Sequence, residues 1–251
     1  MELDLTGKKA LITGASRGIG LAIAKALYAE GCAVVLNARH KDQLEAAAKA
    51  MPGAIGISRD VTVAAQAEYL VQEATRALGG LDILVCNVGS GRSVAPGQET
   101  PDEWQRIFAL NLWSTTNVVE AARDALIASR GSVVCISSIC GLEVVPNAPV
   151  TYSAAKAALH AYVRGISRPL GTQSVRINAI APGNILFDGS VWDKKLQTDA
   201  ESVQAMLASN VALSRLGTPQ DIADLAIYLA SSRSAFATGS IWTLDGGQVR
   251  A

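Results

Sequence analysis

Apolar residues in this chain come in short runs rich in valine, isoleucine and leucine, separated by longer stretches in which they recur every three or four positions. KALIT (9–13), AVVLN (33–37), AIGIS (54–58), DILVCN (82–87), GSVVCISS (131–138), VRINAIA (175–181) and SIWTL (240–244) read as strands. Helical patterns fill the intervals: from a glycine-rich turn to Glu30, Asp42 to Ala50, Ala64 to Leu78, about Pro101 to Ala128, about Thr151 to Leu170, and about Pro219 to Ala230. The segment from Ile185 to Leu213 is less regular. Most strand runs are apolar at consecutive positions rather than alternating, as required when both faces of a parallel sheet are covered. The pattern predicts the α/β class, with a doubly wound parallel sheet of about seven strands and helices on both faces.

Composition fits one domain over residues 1–251, since 49% of residues are hydrophobic and no linker, repeat or low-complexity stretch divides the chain. The 22 basic and 22 acidic residues are spread along the sequence, which argues against nucleic acid or an anionic membrane as partner. Cys32, Cys86, Cys135 and Cys140 lie in or beside apolar runs with no close pair at zinc-site spacing, and read as free thiols; no metal is expected. The start MELDLTGKK lacks the basic-then-apolar order of a secretion signal, and no apolar run is long enough to cross a bilayer, so the cytoplasm is the expected location.

Sheets of this kind bind ligands beyond the carboxyl ends of their strands, where the strand order reverses, so the residues just after each strand carry the candidate chemistry. After the first strand comes TGASRGIG, with Gly14, Gly18 and Gly20 between strand and helix. Glycines let the main chain approach a pyrophosphate, and the N–H groups that open the next helix supply donors and a favourable dipole. The spacing departs from the GxGxxG fingerprint. The same segment contains GASRG, the G-x-S-x-G pattern of a hydrolase nucleophile elbow, which would make Ser16 a nucleophile. That chemistry needs a later histidine. In the hydrolase order the histidine comes last, which leaves His160 as the partner, but it lies in mid-helix, and no strand precedes the first to build the central sheet of a hydrolase.

Tyr152 and Lys156 stand four positions apart on one predicted helix, about 6 Å along its axis and nearly on one face. A free tyrosine titrates near pH ~10, and a cation held close favours the phenolate. A phenol lowered in this way can pass a proton near neutral pH. The plainer alternative is that Lys156 snorkels from a helix whose tyrosine caps the core.

The segments around that pair resemble, in order and from Lys9 to Gly247, the short-chain dehydrogenase/reductase family, and within it the 3-oxoacyl-carrier-protein reductases. TGASRGIG resembles the family's cofactor turn, with Gly14, Ser16, Arg17, Gly18, Ile19 and Gly20 as cofactor residues. Asp60 and Val61 resemble the adenine contact after the third strand. CNVG (86–89) resembles the family's NNAG, with Asn87 and Gly89, and Pro182, Gly183 and Ile185 resemble the turn after the sixth strand. Asn111, Ser138, Tyr152 and Lys156 match the catalytic tetrad.

The resemblance implies a Rossmann-type fold that reversibly transfers a hydride between a nicotinamide and a carbonyl or secondary alcohol. In it Ser138 bonds the substrate oxygen, Tyr152 is the general acid/base, and Lys156 lowers the phenol's pKa and bonds the nicotinamide ribose. A main-chain carbonyl freed by a helix irregularity at Asn111 holds a water that links Lys156 to solvent. A non-catalytic cofactor-binding regulatory protein is the alternative of another class. Two departures stand out: Val88 replaces the family's alanine, which predicts a tighter pocket, and Phe187 replaces the threonine that contacts the carboxamide.

An NAD enzyme of this fold places an acid after the second strand to bond the ribose 2′-hydroxyl. Here Asn37 and Ala38 stand there and Arg39 follows, a cation where a 2′-phosphate would lie, with Arg17 able to clamp it from the other side. NADP(H) is therefore favoured, with NAD(H) possible. Residues 184–210 resemble the family's substrate lid, with Phe187 and Trp192 as apolar cover and Lys194 and Lys195 as a polar face. Arg92, Glu143, Asn147 and Asn184 are candidates to reach a polar small-molecule substrate such as a sugar or hydroxy acid. Acyl thioester and sugar or polyol remain open, as does the direction of reaction. The family's tetramers imply a homotetramer through residues 101–128 and 151–170.

Overall fold

The computed structural model describes residues 2–250. Seven strands, β1 (Lys9–Ile12), β2 (Ala33–Ala38), β3 (Ile55–Ser58), β4 (Ile83–Cys86), β5 (Ser132–Ile136), β6 (Arg176–Pro182) and β7 (Ile241–Leu244), form one sheet in the order β3-β2-β1-β4-β5-β6-β7. Every neighbouring pair is parallel, with Ala10 opposite Val34 on one side of β1 and opposite Ile83 on the other. Strand order reverses between β1 and β4, which places the switch-point crevice of this architecture beside the glycine turn.

The consecutive apolar runs follow from the two buried faces. Along β1, Ala10 and Ile12 enter one core and Leu11 the other; along β4, Ile83 and Val85 oppose Leu84 and Cys86; along β5, Val134 and Ile136 oppose Val133 and Cys135. The first core is closed by α1 (Gly18–Ala29), α2 (Lys41–Lys49) and α9 (Pro219–Ala230). The second is closed by α3 (Ala64–Leu78), α5 (Ser114–Ser129) and α6 (Val150–Gly171).

Two stretches differ in detail from the pattern in the sequence. The single helix expected from Pro101 is divided into α4 (Pro101–Phe108), a π-helical turn (Ala109–Trp113) and α5. The irregular stretch holds two helices, α7 (Val191–Thr198) and α8 (Ala200–Asn210), begun by the side-chain caps Ser190 and Asp199. Their apolar positions form a small core of their own, Val203, Leu207 and Val211 under Trp192, Leu196, Met206 and Leu216, so their periodicity is short and broken. No helix among the described residues is long and apolar enough to cross a membrane.

Candidate active site

At the end of β1, the main-chain N–H and the hydroxyl of Thr13 both donate to the Val85 carbonyl, at 2.9 and 3.3 Å. Asn87, just past β4, closes the junction: its amide nitrogen donates to the carbonyls of Thr13 (3.2 Å) and Gly14 (3.0 Å), and its N–H donates to the Thr13 hydroxyl (3.0 Å). Gly14 turns the chain at φ +63. Gly20 has ordinary φ, but a β-carbon there would strike the Gly14 carbonyl oxygen and lie 2.5 Å from Asn87 Nδ2. Helix α1 thus starts hard against the turn. Its N-cap, the exposed Arg17, makes no side-chain cap bond, which leaves the first N–H groups of the helix without a side-chain acceptor. This glycine cradle, its free donors and the cation beside it fit the diphosphate of a dinucleotide.

Across the crevice, Ser138 follows β5 and caps a single 3-10 turn (Ile139–Gly141), accepting from Cys140 N at 3.2 Å. Helix α6 presents Tyr152 and Lys156 to the same space. Lys156 is 2% exposed; its ammonium donates to the Ile136 carbonyl at 3.0 Å and lies 5.9 Å from the centre of the Tyr152 ring. Asn111, fully buried on the π turn, holds the loop after β4 in both directions: it accepts from Ser90 N at 2.9 Å and donates to Ser90 O at 3.2 Å and Ile107 O at 3.1 Å. Loop, asparagine and lysine meet at Gly89, where a β-carbon would lie 2.9 Å from Asn111 Oδ1 and 3.2 Å from Lys156 Nζ.

The electrostatics differ from the expectation that Lys156 holds the phenol's pKa down. Burial pushes Tyr152 up to about 12, partly opposed by hydrogen bonding with the Ser138 hydroxyl, and burial lowers Lys156 to about 8. The phenol is partly accessible from the cleft, so water there moderates its rise. Desolvation outweighs a cation whose Nζ is directed to the Ile136 carbonyl.

Gly14, Arg17, Ile19, Asn87, Gly89, Ser138, Tyr152, Lys156, Pro182, Gly183 and Ile185 line one cleft of about 1000 Å³. Ser16, Gly18, Gly20, Val61 and Asn111 are not on its wall. Arg39 and Asp60 lie beyond it at the ends of β2 and β3, with Arg39 Nη1 3.8 Å from Asp60 Oδ2. The other Asp60 oxygen accepts from Thr62 N (3.0 Å) and Thr62 Oγ1 (2.7 Å), so this acid also shapes the approach to α3. The hydrolase geometry is not built, because His160 engages Ser137 Oγ (2.7 Å) and the Gly141 carbonyl (3.1 Å).

Val88 is partly buried, packs against the second core and is not on the cleft wall, with its Cγ2 3.3 Å from where a β-carbon on Gly14 would lie. Phe187 lies over the glycine turn, where its ring would be 2.7 Å from a β-carbon on Gly18. Arg92, Glu143, Asn147, Asn184, Trp192 and Lys195 do line the cleft, whereas Lys194 does not. Sequence reasoning missed Gln248 and Arg250, which reach the wall from the chain end, and Cys140 beside Ser138. Distance along the chain gives no signal for the first two; Cys140 was legible from its place two residues past Ser138.

The family model described as Enoyl-(Acyl carrier protein) reductase matches residues 14–248. Among curated relatives, the 3-oxoacyl-[acyl-carrier-protein] reductase of Chlamydia muridarum is 33% identical, covering 98% of this chain and 99% of the relative. Among solved structures, L-sorbose reductase from Gluconobacter frateurii in complex with NADPH and L-sorbose superposes with a TM-score of 0.93 at 28% identity, covering all of both chains. A 7α-hydroxysteroid dehydrogenase complexed with NADH and 7-oxo glycochenodeoxycholic acid superposes at 0.91 and 29% identity, covering 100% of this chain and 97% of the other. With the family model spanning nearly the whole sequence and the fold shared from end to end, the chain is an oxidoreductase that belongs to the short-chain dehydrogenase/reductase family.

Proposed function

We propose that this protein is an NADP(H)-dependent oxidoreductase that interconverts a carbonyl and a secondary alcohol, with Tyr152 as general acid/base. The observation that carries the reading is that Ser138, Tyr152 and Lys156 line the same cleft as the glycine turn. Gly14, Arg17, Ile19 and Asn87 would hold the dinucleotide at the turn, Asp60, Val61 and Arg39 its adenosine end, and Pro182, Gly183 and Ile185 its nicotinamide end. When bound, the nicotinamide supplies or accepts the hydride. Ser138 would donate a hydrogen bond to the substrate oxygen and stabilise the charge that develops there.

Tyr152 would give that oxygen its proton in reduction and remove it in oxidation. A phenol raised by burial suits the acid role, because it keeps its proton until the oxygen it faces becomes strongly basic. Lys156, held by the Ile136 carbonyl, would stabilise the phenolate formed and replenish the proton, with the π turn at Asn111 as the route toward solvent.

NADP(H) over NAD(H) rests on Arg39. Asn37 and Ala38, not a carboxylate, precede it at the end of β2, and its contact with Asp60 at 3.8 Å is long and partly solvated, worth little against a phosphate. Exposed Trp104 and Trp113, on a segment through which family members associate, favour a homotetramer.

Turnover of a carbonyl panel with NADPH tests the reading. Tyr152→Phe should lower kcat by roughly 10²–10⁴-fold while NADPH still binds; undiminished turnover would remove the assignment. Arg39→Asp should move the NADPH/NADH ratio of kcat/KM toward NADH by tenfold or more, and an unchanged ratio would remove the basis for preferring NADP(H).

A further inference from the structure

The substrate half of the cleft is asymmetric in charge. Beyond the Ser138–Tyr152 pair its wall carries the cations Arg92, Lys195 and Arg250, and a single carboxylate, Glu143. None of these cations takes part in an ion pair among the described residues. In a chain with equal numbers of acidic and basic residues, such a patch is a local choice of placement. The nearest acid on the lid helix, Asp193, is turned to structural use: its carboxylate accepts from Gly189 N at 2.8 Å and Gln197 Nε2 at 3.1 Å and is not on the wall.

Two of the cations are held in place. Lys195 Nζ lies 4.6 Å from the centre of the Trp192 ring, on a residue that also lines the cleft. Arg92 Nη2 donates to Gly189 O at 3.3 Å, which leaves the other guanidinium N–H groups to face the cleft or solvent. The loop that carries Arg92 is pinned from three sides: Asn111 holds Ser90, Arg106 donates to the Arg92 carbonyl at 3.0 Å, and Ser93 shares a hydrogen bond with Thr151 at 2.7 Å. Next to Arg92, a β-carbon on Gly91 would lie 3.7 Å from the Tyr152 ring, so the backbone that carries this cation runs past the phenol.

The chain end adds an acceptor. Asp245 accepts from Gly247 N (2.9 Å) and Val249 N (2.7 Å), and the tail it folds brings Gln248 to the wall with a buried side-chain oxygen that has no partner.

We propose that the substrate is an anionic oxo or hydroxy compound, its carboxylate or phosphate received by Arg92 and Lys195 while its carbonyl or hydroxyl faces Tyr152. Cations that lack protein counter-ions gain a charge-assisted bond to such a group and disfavour neutral analogues. This inference rests on the oxidoreductase reading and narrows its substrate class.

The test compares matched pairs with NADPH: 4-oxopentanoate and 5-oxohexanoate against their methyl esters, and dihydroxyacetone phosphate against dihydroxyacetone. In at least one pair kcat/KM for the anion should exceed that for the neutral partner by tenfold or more, and which pair does so separates carboxylate from phosphate. Combining Arg92→Gln with Lys195→Gln should lower that ratio at least tenfold, Glu143→Gln should raise it, and Lys194→Gln, off the wall on the same helix, should leave it. Neutral partners preferred in every pair, or a ratio held within twofold by the double variant, would overturn the proposal. Calorimetric binding of the same pairs to the protein loaded with NADP+, which has no hydride to give, is read without turnover. Selective anion binding with no reduction would sink the oxidoreductase reading alone, and binding without selectivity would sink this one.

Discussion

Burying an ammonium with no carboxylate beside it is expensive, and Lys156 is 2% exposed with only the Ile136 carbonyl as its described hydrogen-bond partner. Its fall to about 8 from the ordinary 10.5 corresponds to about 3 kcal/mol at the usual conversion. A charge kept at that cost next to Tyr152 and Ser138 is the pattern of a working site rather than of a surface lysine. The snorkelling alternative open at the sequence level is thus removed, because the side chain is buried and its ammonium donates inward to the Ile136 carbonyl.

His160 shows the same logic in a neutral ring. A carbonyl can only accept, so Nδ1 carries the hydrogen toward Gly141 and Nε2 accepts from Ser137. Burial lowers this histidine to about 4, opposed by the hydrogen bond it donates to the Gly141 carbonyl, and Arg164 and Lys156 lower it further. Because the folded value lies below the unfolded one, its contribution to stability is complete above pH ~6.5 and is lost as pH falls through about 4. Thermal midpoints measured from pH 7 to pH 4 should decline over that window, and His160→Gln should flatten the decline; an unaltered slope would mean other groups cause it.

At the scale of elements, helix ends and turns were the most legible features. Ala64–Leu78 and Pro219–Ala230 are observed where their apolar periodicity ends, the second begun by a capping box between Thr218 and Asp221. The division of the helix after Pro101 was not visible in its periodicity, because a π turn adds one residue per turn without changing which side chains are apolar. Its cause is tertiary: Asn111 must face the Ser90 loop. The docking of α1 on the glycine turn is equally a matter of contact, and Gly20→Ala should test it. The added methyl meets the Gly14 carbonyl and Asn87, so unfolding in urea should show a loss of roughly 1–3 kcal/mol, with weaker NADPH binding. Full stability in that variant would mean the turn can move aside.

For the molecule as a whole, the sheet is covered on both faces by large buried clusters, whereas α7 and α8 rest on only three fully buried residues. Hydrogen exchange should therefore find amides of 191–210 opening well before those of β4, β5 and β6, with NADPH and substrate slowing the lid more than the sheet. Uniform protection across both would contradict a separately opening lid.

Alternation of short apolar runs with helical periods determined by itself the doubly wound class, the seven strands and the position of the glycine turn, Asn87 and Ser138 just beyond their strands, because backbone period and two-sided burial are written into neighbouring residues. The pairing of Tyr152 with Lys156 was legible for the same reason, since a helix converts spacing into adjacency. Tertiary structure alone decided the rest. It set the direction of the pKa shifts, which depends on how much water other segments exclude, and turned Val88 into the core and Phe187 onto Gly18. It also gathered Arg92, Lys195 and Gln248 on one wall, since no local rule brings residues 53 to 156 positions apart together until a folded sheet does so.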